Sequence, residues 1–263
     1  MKNIIMYMYN LNNISIYKKK NKISIKYNDE RYIFKKIVNE RRIFEIHSIL
    51  NNKTEYYKII PNIYNNIITE YNGNKYILLN ENTNHEINSK EIYLETQKYN
   101  NYSINHSNWE KLWTVKNDYY ELNEIHNNYL YESKEYYIGL AENALQFIKI
   151  NSIKFNNLTI TKLKIEKGLY PDNAIIDCQE REISEIIKYK FFFSNIKYEE
   201  LDELIKGKNI KKIIARLLYP NYYFDIYDEF LKGKENIKKI KDVAMQSIII
   251  DFFLSSMIIP PFK

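Results

Sequence analysis

Polar and apolar residues alternate over the first eighty positions in a way that predicts mainly β-strands. Lys22 to Tyr27 switches between polar and apolar side chains at every residue, which is typical of a strand with one buried face. Asn28-Asp29-Glu30 is a plausible turn, and Arg31 to Val38 a second strand, so the pattern predicts a hairpin.

The spacing then changes to that of a helix and back to that of strands. Ile43, Ile46 and Leu50 recur at helical intervals, so a helix is predicted over 39–50. Two more strands, at 66–71 and 75–79, follow around Asn72-Gly73-Asn74. Asn-Gly supplies the positive φ that a tight hairpin needs. The predicted order is therefore strand, strand, helix, strand, strand.

From Ser107 onward the period is helical. Ser107 and Glu110 have the spacing of a capping box, in which both side chains satisfy free backbone N–H groups. The helix that begins here is predicted to have one apolar face. Its members are Trp109, Leu112, Trp113 and Tyr120.

Several more helices are expected after the first. A helix over 134–150 has an apolar stripe along one side. The stretch from 158 to 176 is β-rich, and Gly207 and Gly233 stand where C-capping glycines belong. The other predicted helices cover 180–192, 198–206, 209–218, 221–232 and 236–257. The apolar stripe of the helix over 134–150 consists of Tyr137, Leu140, Ala141, Ala144, Leu145 and Ile148.

A break near Glu81 to Asn88 is the best candidate for a boundary between lobes. It divides the chain into a β-rich part, residues 1–82, and a helical part, residues 83–263. With 263 residues, 45% of them hydrophobic, the chain is long enough for two lobes with a substantial core.

Composition changes this picture little. Asn, Ile, Lys and Tyr are over-used, as in proteins from AT-rich genomes, but 26 tyrosines argue against disorder. The formal charge of +6 comes from 39 basic and 33 acidic residues that are interspersed. A nucleic-acid partner is not expected, because that surface needs a concentrated basic stripe with readable motifs.

The single cysteine and the apolar segments bound the environment of the chain. Cys178 cannot form an intrachain disulfide, and a lone cysteine is more often a small buried residue than a nucleophile. No signal peptide is predicted at the N-terminus. The run from Ile248 to Phe262 is shorter than the ~20 residues that span a bilayer, so we expect a buried C-terminal helix and no integral membrane segment. Docking to a membrane surface is the minor alternative.

Two short stretches resemble a known family. They are Tyr136-Tyr137-Ile138-Gly139-Leu140-Ala141-Glu142-Asn143-Ala144 and Ala215-Arg216-Leu217-Leu218-Tyr219-Pro220-Asn221-Tyr222-Tyr223-Phe224. Both are similar to segments of bacterial spore coat kinase-like proteins of the CotS/YutH type, most closely the YutH type. Between them, 177–185 resembles an Asp followed by an Arg-Asp-Leu-Ala-Glu-like helix. The resemblance implies an α+β, two-lobed fold like that of aminoglycoside and choline phosphotransferases.

The resemblance also shows what is missing. Active relatives in that superfamily use a His-Gly-Asp-x-x-x-x-Asn-like loop, which would fall between Leu158 and Pro171. This segment has no His and no Asp, and Glu166 is its only carboxylate. Its loss would remove the acceptor-positioning base and a metal ligand together. No catalytic residue, metal or cofactor is therefore assigned.

Two residues remain as candidates for a residual nucleotide or Mg²⁺ site. Asp177 matches the metal-holding Asp of the family pattern, but a helix N-cap completed by Glu180 is the preferred interpretation. Arg181 and Glu182 are expected to form a structural ion pair. Lys35 loosely matches the strand lysine that binds phosphate in kinases, but a solvated lysine at the end of a strand is the preferred interpretation.

Lys35 would need an acidic partner on the following helix, for which Glu40 and Glu45 are the candidates. Residues 1–72 contain no glycine, which argues against close backbone wrapping of phosphates there. Arg216 and Tyr219 are expected to be structural.

Two function hypotheses follow. The first is a non-catalytic, pseudokinase-like protein of the spore coat type that acts through contacts with other proteins, in the mother-cell cytoplasm or the coat. The second is a divergent phosphotransferase, or a weak nucleotide or small-ligand binder that uses the cleft between lobes. Absence of the catalytic loop favours the first and leaves enzyme activity as an open question.

Overall fold

The computed structural model describes residues 1–19, 22–50, 58–81, 93–94, 96–123, 128–163, 169–193 and 197–233. Contacts divide the chain into two compact units. The N-terminal unit comprises Met1–Asn105 with Thr159–Ile176, and the C-terminal unit comprises His106–Leu158 with Asp177–Lys263. The fold is α+β, as the sequence predicts.

Among the described residues, nine strands and three helices fall wholly or largely in the N-terminal unit. The helices are α1 (Lys2–Tyr9), α2 (Glu40–Leu50) and α3 (Thr96–Tyr99). The strands are β1 (Ser15–Lys19), β2 (Lys22–Tyr27), β3 (Glu30–Ile37), β4 (Ile59–Ile60), β5 (Thr69–Tyr71), β6 (Asn74–Asn80), β7 (Tyr93–Leu94), β8 (Leu158–Lys162) and β9 (Ala174–Cys178).

An antiparallel sheet in the order β1-β2-β3-β6-β4, with β5 paired to β6, forms the body of this unit. The predicted hairpin between β2 and β3 is confirmed, and its turn places Asn28 and Asp29 at φ 47° and 64°. Both residue types tolerate positive φ because their short polar side chains bond locally. Gly73, at φ 69°, serves the second predicted hairpin. Strands β7, β8 and β9 form a separate three-stranded sheet.

The sheet is covered on both faces. On one face, α1 packs through Ile5 and Tyr9 against Phe34 and Leu78. On the other face, Ile43 of α2 packs in a second apolar cluster with buried side chains of β3 and β6. The prediction that this region is mainly strand is wrong for α1. Its run Lys2–Tyr9 is short and rich in Ile, Tyr and Met, and only the i, i+4 pairing of Ile5 with Tyr9 marks the buried side.

The C-terminal unit is helical. Its helices are α4 (Trp109–Leu122), α5 (Asn128–Ile150), α6 (Gln179–Phe193), α7 (Tyr198–Ile205), α8 (Ile210–Leu218) and α9 (Asn221–Leu231). These confirm the predicted helices, and Gly207 and Gly233 have the positive φ expected of C-capping positions. The predicted helix 236–257 and the apolar run 248–262 lie outside the described residues.

Aromatic rings fill the core of this unit. Trp113 stacks on Tyr219 with ring centroids 4.2 Å apart, Tyr120 on Phe224 at 4.2 Å, and Tyr137 lies over another buried ring of α9. The stripe predicted on α5 is confirmed, since its members are buried or pack against this core.

Two details of α4 differ from the prediction. The cap is Asn108, whose Oδ1 accepts a hydrogen bond from the backbone N of Lys111 at 3.1 Å, so the helix begins one residue after the predicted Ser107–Glu110 box would start it. Leu112, assigned to the buried face, is 41% exposed. The buried side of α4 consists of Trp109, Trp113, Asn117 and Tyr120.

The predicted boundary at residues 82–83 falls within a stretch that the described ranges leave out, and it stays a prediction. The contact division assigns 96–105 and 159–176 to the N-terminal unit. Within the described part of the chain, no helix is long and apolar enough to cross a membrane.

Leu217→Ala is expected to lower the free energy of unfolding by about 2–5 kcal/mol. Leu217 is 7% exposed and packs with Ile183, Ile187 and Ile213. Ile210→Ala is the matched control, because Ile210 begins the same helix and is 40% exposed. Chemical denaturation of both variants measures the difference, and equal losses would contradict the packing described.

Candidate functional site

Lys35 lies on β3 and is held by an aspartate from a distant part of the chain. Its Nζ is 2.8 Å from Oδ2 and 3.0 Å from Oδ1 of Asp172, and the two side chains are 19% and 30% exposed. Asp172 stands in a tight turn, in which the N–H of Asn173 donates to the carbonyl of Tyr170 at 2.9 Å. Pro171 occupies the position of this turn that suits its fixed φ.

Other cations surround the same turn. The ring of Tyr170 lies under two lysines, with Lys35 Nζ 4.9 Å and Lys22 Nζ 5.9 Å from its centroid. Arg42 of α2 donates from Nη1 to the carbonyl oxygen of Asp172 at 3.4 Å. Burial lowers the pKa of Arg42, and the nearby Asp172 and Glu45 partly offset this effect. The turn thus gathers three cationic side chains around one carboxylate.

Neither acidic residue expected to pair with Lys35 does so. Glu40 forms its ion pair with Lys75. Glu45 accepts from Arg41 Nε at 2.8 Å and from the hydroxyl of Ser103 at 2.7 Å. Burial alone would raise the pKa of Glu45, but the bonds from Ser103 and Arg41 outweigh it and the pKa is lowered.

Asp172 is the residue that sequence reasoning missed. It follows directly after Pro171, where the segment expected to hold the catalytic loop ends. A Pro-Asp turn was the only local indication of its position. Of the expected loop, residues 158–163 and 169–171 are described, and Glu166 lies outside them.

Asp177 lies at the end of β9 and is fully buried in the C-terminal unit. Its carboxylate accepts from Trp109 Nε1, which is 3.0 Å from each oxygen, from the backbone N of Cys178 at 2.7 Å, and from Arg181 Nη1 at 3.3 Å. Burial raises its pKa, while Arg181, Trp109 and Arg216 act in the opposite direction.

The capping interpretation of Asp177 needs correction. Helix α6 begins at Gln179, so Asp177 is one position too early to be its N-cap. Glu180 does not close a box with it and instead accepts from the backbone N of Asn209 at 3.2 Å. Asp177 instead links α4 to the first turn of α6 through buried hydrogen bonds from Trp109 and Arg181.

A buried charge network continues from Asp177. Arg181 forms an ion pair with Asp177, whereas the sequence predicted a pair with Glu182. Glu185 binds Arg216, with Nη2 and Nε of the guanidinium 2.8 and 2.9 Å from Oε1. Arg216 also lies over the rings of Trp109 and Trp113, at 5.5 and 5.6 Å. These contacts bear out the structural role predicted for Arg216.

Lys188 completes the network, since its ammonium donates to the carbonyl of Tyr219 and to Oδ1 of Asn221. Burial lowers the pKa of Lys188 to about 7, although Glu185 pulls in the other direction. Cys178 is also fully buried. Burial and the nearby Asp177 raise the pKa of its thiol, so it remains protonated and unreactive, as a buried structural cysteine should.

Lys188 should make stability depend on pH. Its folded pKa, about 7, lies below the ordinary 10.5, so the unfolded chain binds the proton more tightly between those values. The free energy of unfolding should then rise with pH above 7, by at most about 1.4 kcal/mol per pH unit. Denaturation of the wild type and of Lys188→Met from pH 7 to 9 measures this, because only the wild type should show that component of the slope. Parallel pH profiles would refute the prediction.

The described residues show no group of three His, Cys, Asp or Glu side chains that could hold a metal ion. Lys35 and Asp177, the two candidates from the sequence, lie in different surroundings. Lys35 belongs to a partly exposed cationic turn in the N-terminal unit, and Asp177 to a buried network in the C-terminal unit. Whether either residue contacts a nucleotide stays a prediction.

Known proteins place the chain in a broader context. No protein-family model matches it. The endospore coat-associated protein YutH of Bacillus subtilis is 22% identical over 177 residues, which cover 54% of this chain and 52% of YutH. The match thus spans about half the length of that relative. It confirms the resemblance to YutH-type spore coat kinase-like proteins.

Solved structures show the fold. The chain is similar to an aminoglycoside phosphotransferase from Alicyclobacillus acidocaldarius, with a TM-score of 0.58 and 9% identity over 97% of this chain and 94% of that one. Spectinomycin phosphotransferase matches with a TM-score of 0.55 and 10% identity over 96% and 97% of the two chains. Amicoumacin kinase matches at 0.53 and 9% identity, over 96% and 92%. The fold is that of aminoglycoside phosphotransferase-like kinases, as predicted.

Proposed function

We propose that this protein is a non-catalytic member of the kinase-like fold, of the spore coat type, that acts through contacts with other proteins. The observation that carries the proposal is the environment of Asp177. Its carboxylate accepts hydrogen bonds from Trp109, Cys178 and Arg181, and its side chain is 0% exposed. A carboxylate that holds Mg²⁺ on a phosphate must be accessible to the metal and the nucleotide, which a fully buried side chain is not.

The environment of Lys35 supports the same function. Its ammonium pairs with Asp172 at 2.8 Å, while Glu40 and Glu45 of α2 pair with other cations, so neither residue forms the strand-lysine to helix-glutamate pair that protein kinases need. The negative charge of Asp172 also reduces the attraction of Lys35 for a second anion. The similarity to YutH supports an association with the spore coat, since that relative is described as endospore coat-associated.

The second candidate function is a weak nucleotide binder. The solved structures that share the fold include complexes with ADP and with AMP-PNP. Three cations around the turn at Asp172 retain a net positive charge that would attract an anion. Binding without turnover is compatible with this arrangement and would leave the first proposal intact.

Mg-ATP is expected to change the melting temperature little. A ligand stabilises by RT ln(1 + [L]/Kd), which is about zero when Kd far exceeds the ligand concentration. A thermal-shift titration of the wild type and of Asp172→Asn measures this, because the variant frees Lys35 from its partner and should respond more. A saturable rise in the wild type that Lys35→Met removes would favour the nucleotide binder. ATP turnover that Asp177→Ala abolishes, in a variant that remains folded, would overturn the non-catalytic proposal.

A further inference from the structure

One face of the β1–β2–β3 sheet is unusually basic. Side chains of paired residues in antiparallel strands lie on the same face. The register pairs Lys22 with Lys35, Ser24 with Tyr17 and Ile33, and Lys26 with Ser15 and Arg31. We call this surface the basic face. Its polar and aromatic members are Ser15, Tyr17, Lys22, Ser24, Lys26, Arg31 and Lys35.

The opposite face has a different role. Ile25, Tyr32 and Phe34 point away from the basic face and pack against α1. Two lysines, Lys18 and Lys36, are exposed on that opposite side, as their pairing with Ile23 and Tyr76 shows. The two sides of the sheet therefore carry comparable lysines in unlike surroundings, which provides a matched comparison.

The basic face is accessible on β1 and β2, whereas Ile33 of β3 on the same side is buried beside α2. Tyr17 is 64% exposed, and the side chain of Lys26 is 55% exposed. Lys26 has an ion pair with Asp29 at 3.2 Å, but Asp29 is 97% exposed and such pairs contribute little. The second carboxylate at this face is Asp172, which is bound to Lys35. The positive charge of Lys22 and Lys26 thus remains largely available to a partner.

The spacing of these charges fits an extended chain. Lys22 and Lys26 are four residues apart on one strand, or about 13 Å at the usual rise per residue. That separation exceeds the reach of a single phosphate group. An extended polypeptide presents every second side chain on one side, about 6.6 Å apart, so carboxylates four residues apart would meet both lysines. In addition, β1 ends the sheet order, and within the described residues it pairs only with β2.

We propose that the basic face and the adjoining edge of β1 bind an extended acidic segment of a partner protein. The inference supplies a partner chemistry for the protein contacts proposed above and rests on that function. Backbone hydrogen bonds along the β1 edge would align the segment, and its carboxylates would pair with Lys22 and Lys26. A nucleic acid fits less well, because single strands need a row of aromatic rings for stacking and Tyr17 is the only exposed aromatic residue of this face.

The test uses the full chain and a fluorescein-labelled octaglutamate peptide. Binding is followed by fluorescence anisotropy for the wild type, for Lys22→Glu with Lys26→Glu, and for the control Lys18→Glu with Lys36→Glu. Both variants change the net charge equally, on opposite faces of the sheet. We expect the first to weaken binding by about tenfold or more and the control to retain it, since surface ion pairs contribute up to about 1 kcal/mol each.

Four outcomes would overturn the inference: no binding to the wild type, equal losses in both variants, displacement of the peptide by Mg-ATP, or tighter binding of single-stranded oligothymidylate than of octaglutamate. The first two would exclude a built surface, and the others would identify a phosphate ligand. A failure here is distinct from failure of the non-catalytic proposal, which ATP turnover would overturn. Melting curves of both variants should match that of the wild type, because all four lysines lie at the surface of the sheet.

Discussion

Asp177→Ala should lower the free energy of unfolding by about 3–5 kcal/mol, the loss typical when one partner of a buried ion pair is removed. The change leaves the guanidinium of Arg181, which is 6% exposed, without its carboxylate. It also leaves Trp109 Nε1 and the backbone N of Cys178 without their acceptor. Each buried donor left unpaired adds to the cost.

Chemical denaturation measures this effect, and Asp177→Asn is the informative companion. Asn is the same size and keeps an acceptor for Trp109, but it lacks the charge that pairs with Arg181. We expect a loss of stability smaller than that of Asp177→Ala. In free energy, it should exceed any change in nucleotide binding. A variant with unchanged stability and a lost response to Mg-ATP would instead identify Asp177 as a ligand-binding residue.

Trp113→Ala should cost about 3–5 kcal/mol, as large-to-small changes of buried aromatic residues do. Trp113 is 3% exposed and lies between two rings, with centroids 4.2 Å from Tyr219 and 5.3 Å from Trp109. It also forms part of the aromatic surface over which Arg216 lies, at 5.6 Å. Removing the ring leaves a cavity beside the buried guanidinium of Arg216.

The control is Leu112→Ala on the preceding residue of the same helix. Leu112 is 41% exposed, so its truncation should cost much less than that of Trp113. Trp113→Phe should fall between the two, because it keeps a ring to stack on Tyr219. If Leu112→Ala proved as costly as Trp113→Ala, the orientation of α4 described above would be wrong.

The local sequence pattern was sufficient to predict an element wherever one of its sides is buried and the other is exposed to solvent. The alternation of Lys22 to Tyr27 and the spacing of Ile43, Ile46 and Leu50 predicted β2 and α2 with their buried sides, because the periods of strand and helix are properties of the backbone. The same pattern failed for α1. That segment is short and apolar, and its packing against the sheet decides its conformation more than its own sequence does.

The candidate site illustrates the other limit. Lys35 could be selected by its strand, but its partner Asp172 lies 137 residues away and joins it only after β3 and the turn at Tyr170 are in place. Local rules favoured Glu40 and Glu45, which are nearer in sequence, yet α2 directs those carboxylates to Lys75 and Arg41. Sequence periodicity cannot select the partner of Lys35, because any nearby carboxylate attracts a lysine electrostatically.

By itself, the sequence determined the class of fold, most element positions, the relationship to YutH-type proteins and the absence of His and Asp between Leu158 and Pro171. Only the tertiary structure decided where the charges go: Lys35 to Asp172, Arg181 to Asp177 and Arg216 to Glu185. The physical reason is burial. A charge removed from water must find its counter-charge in three dimensions, and which one it meets depends on the packing of elements that are distant along the chain.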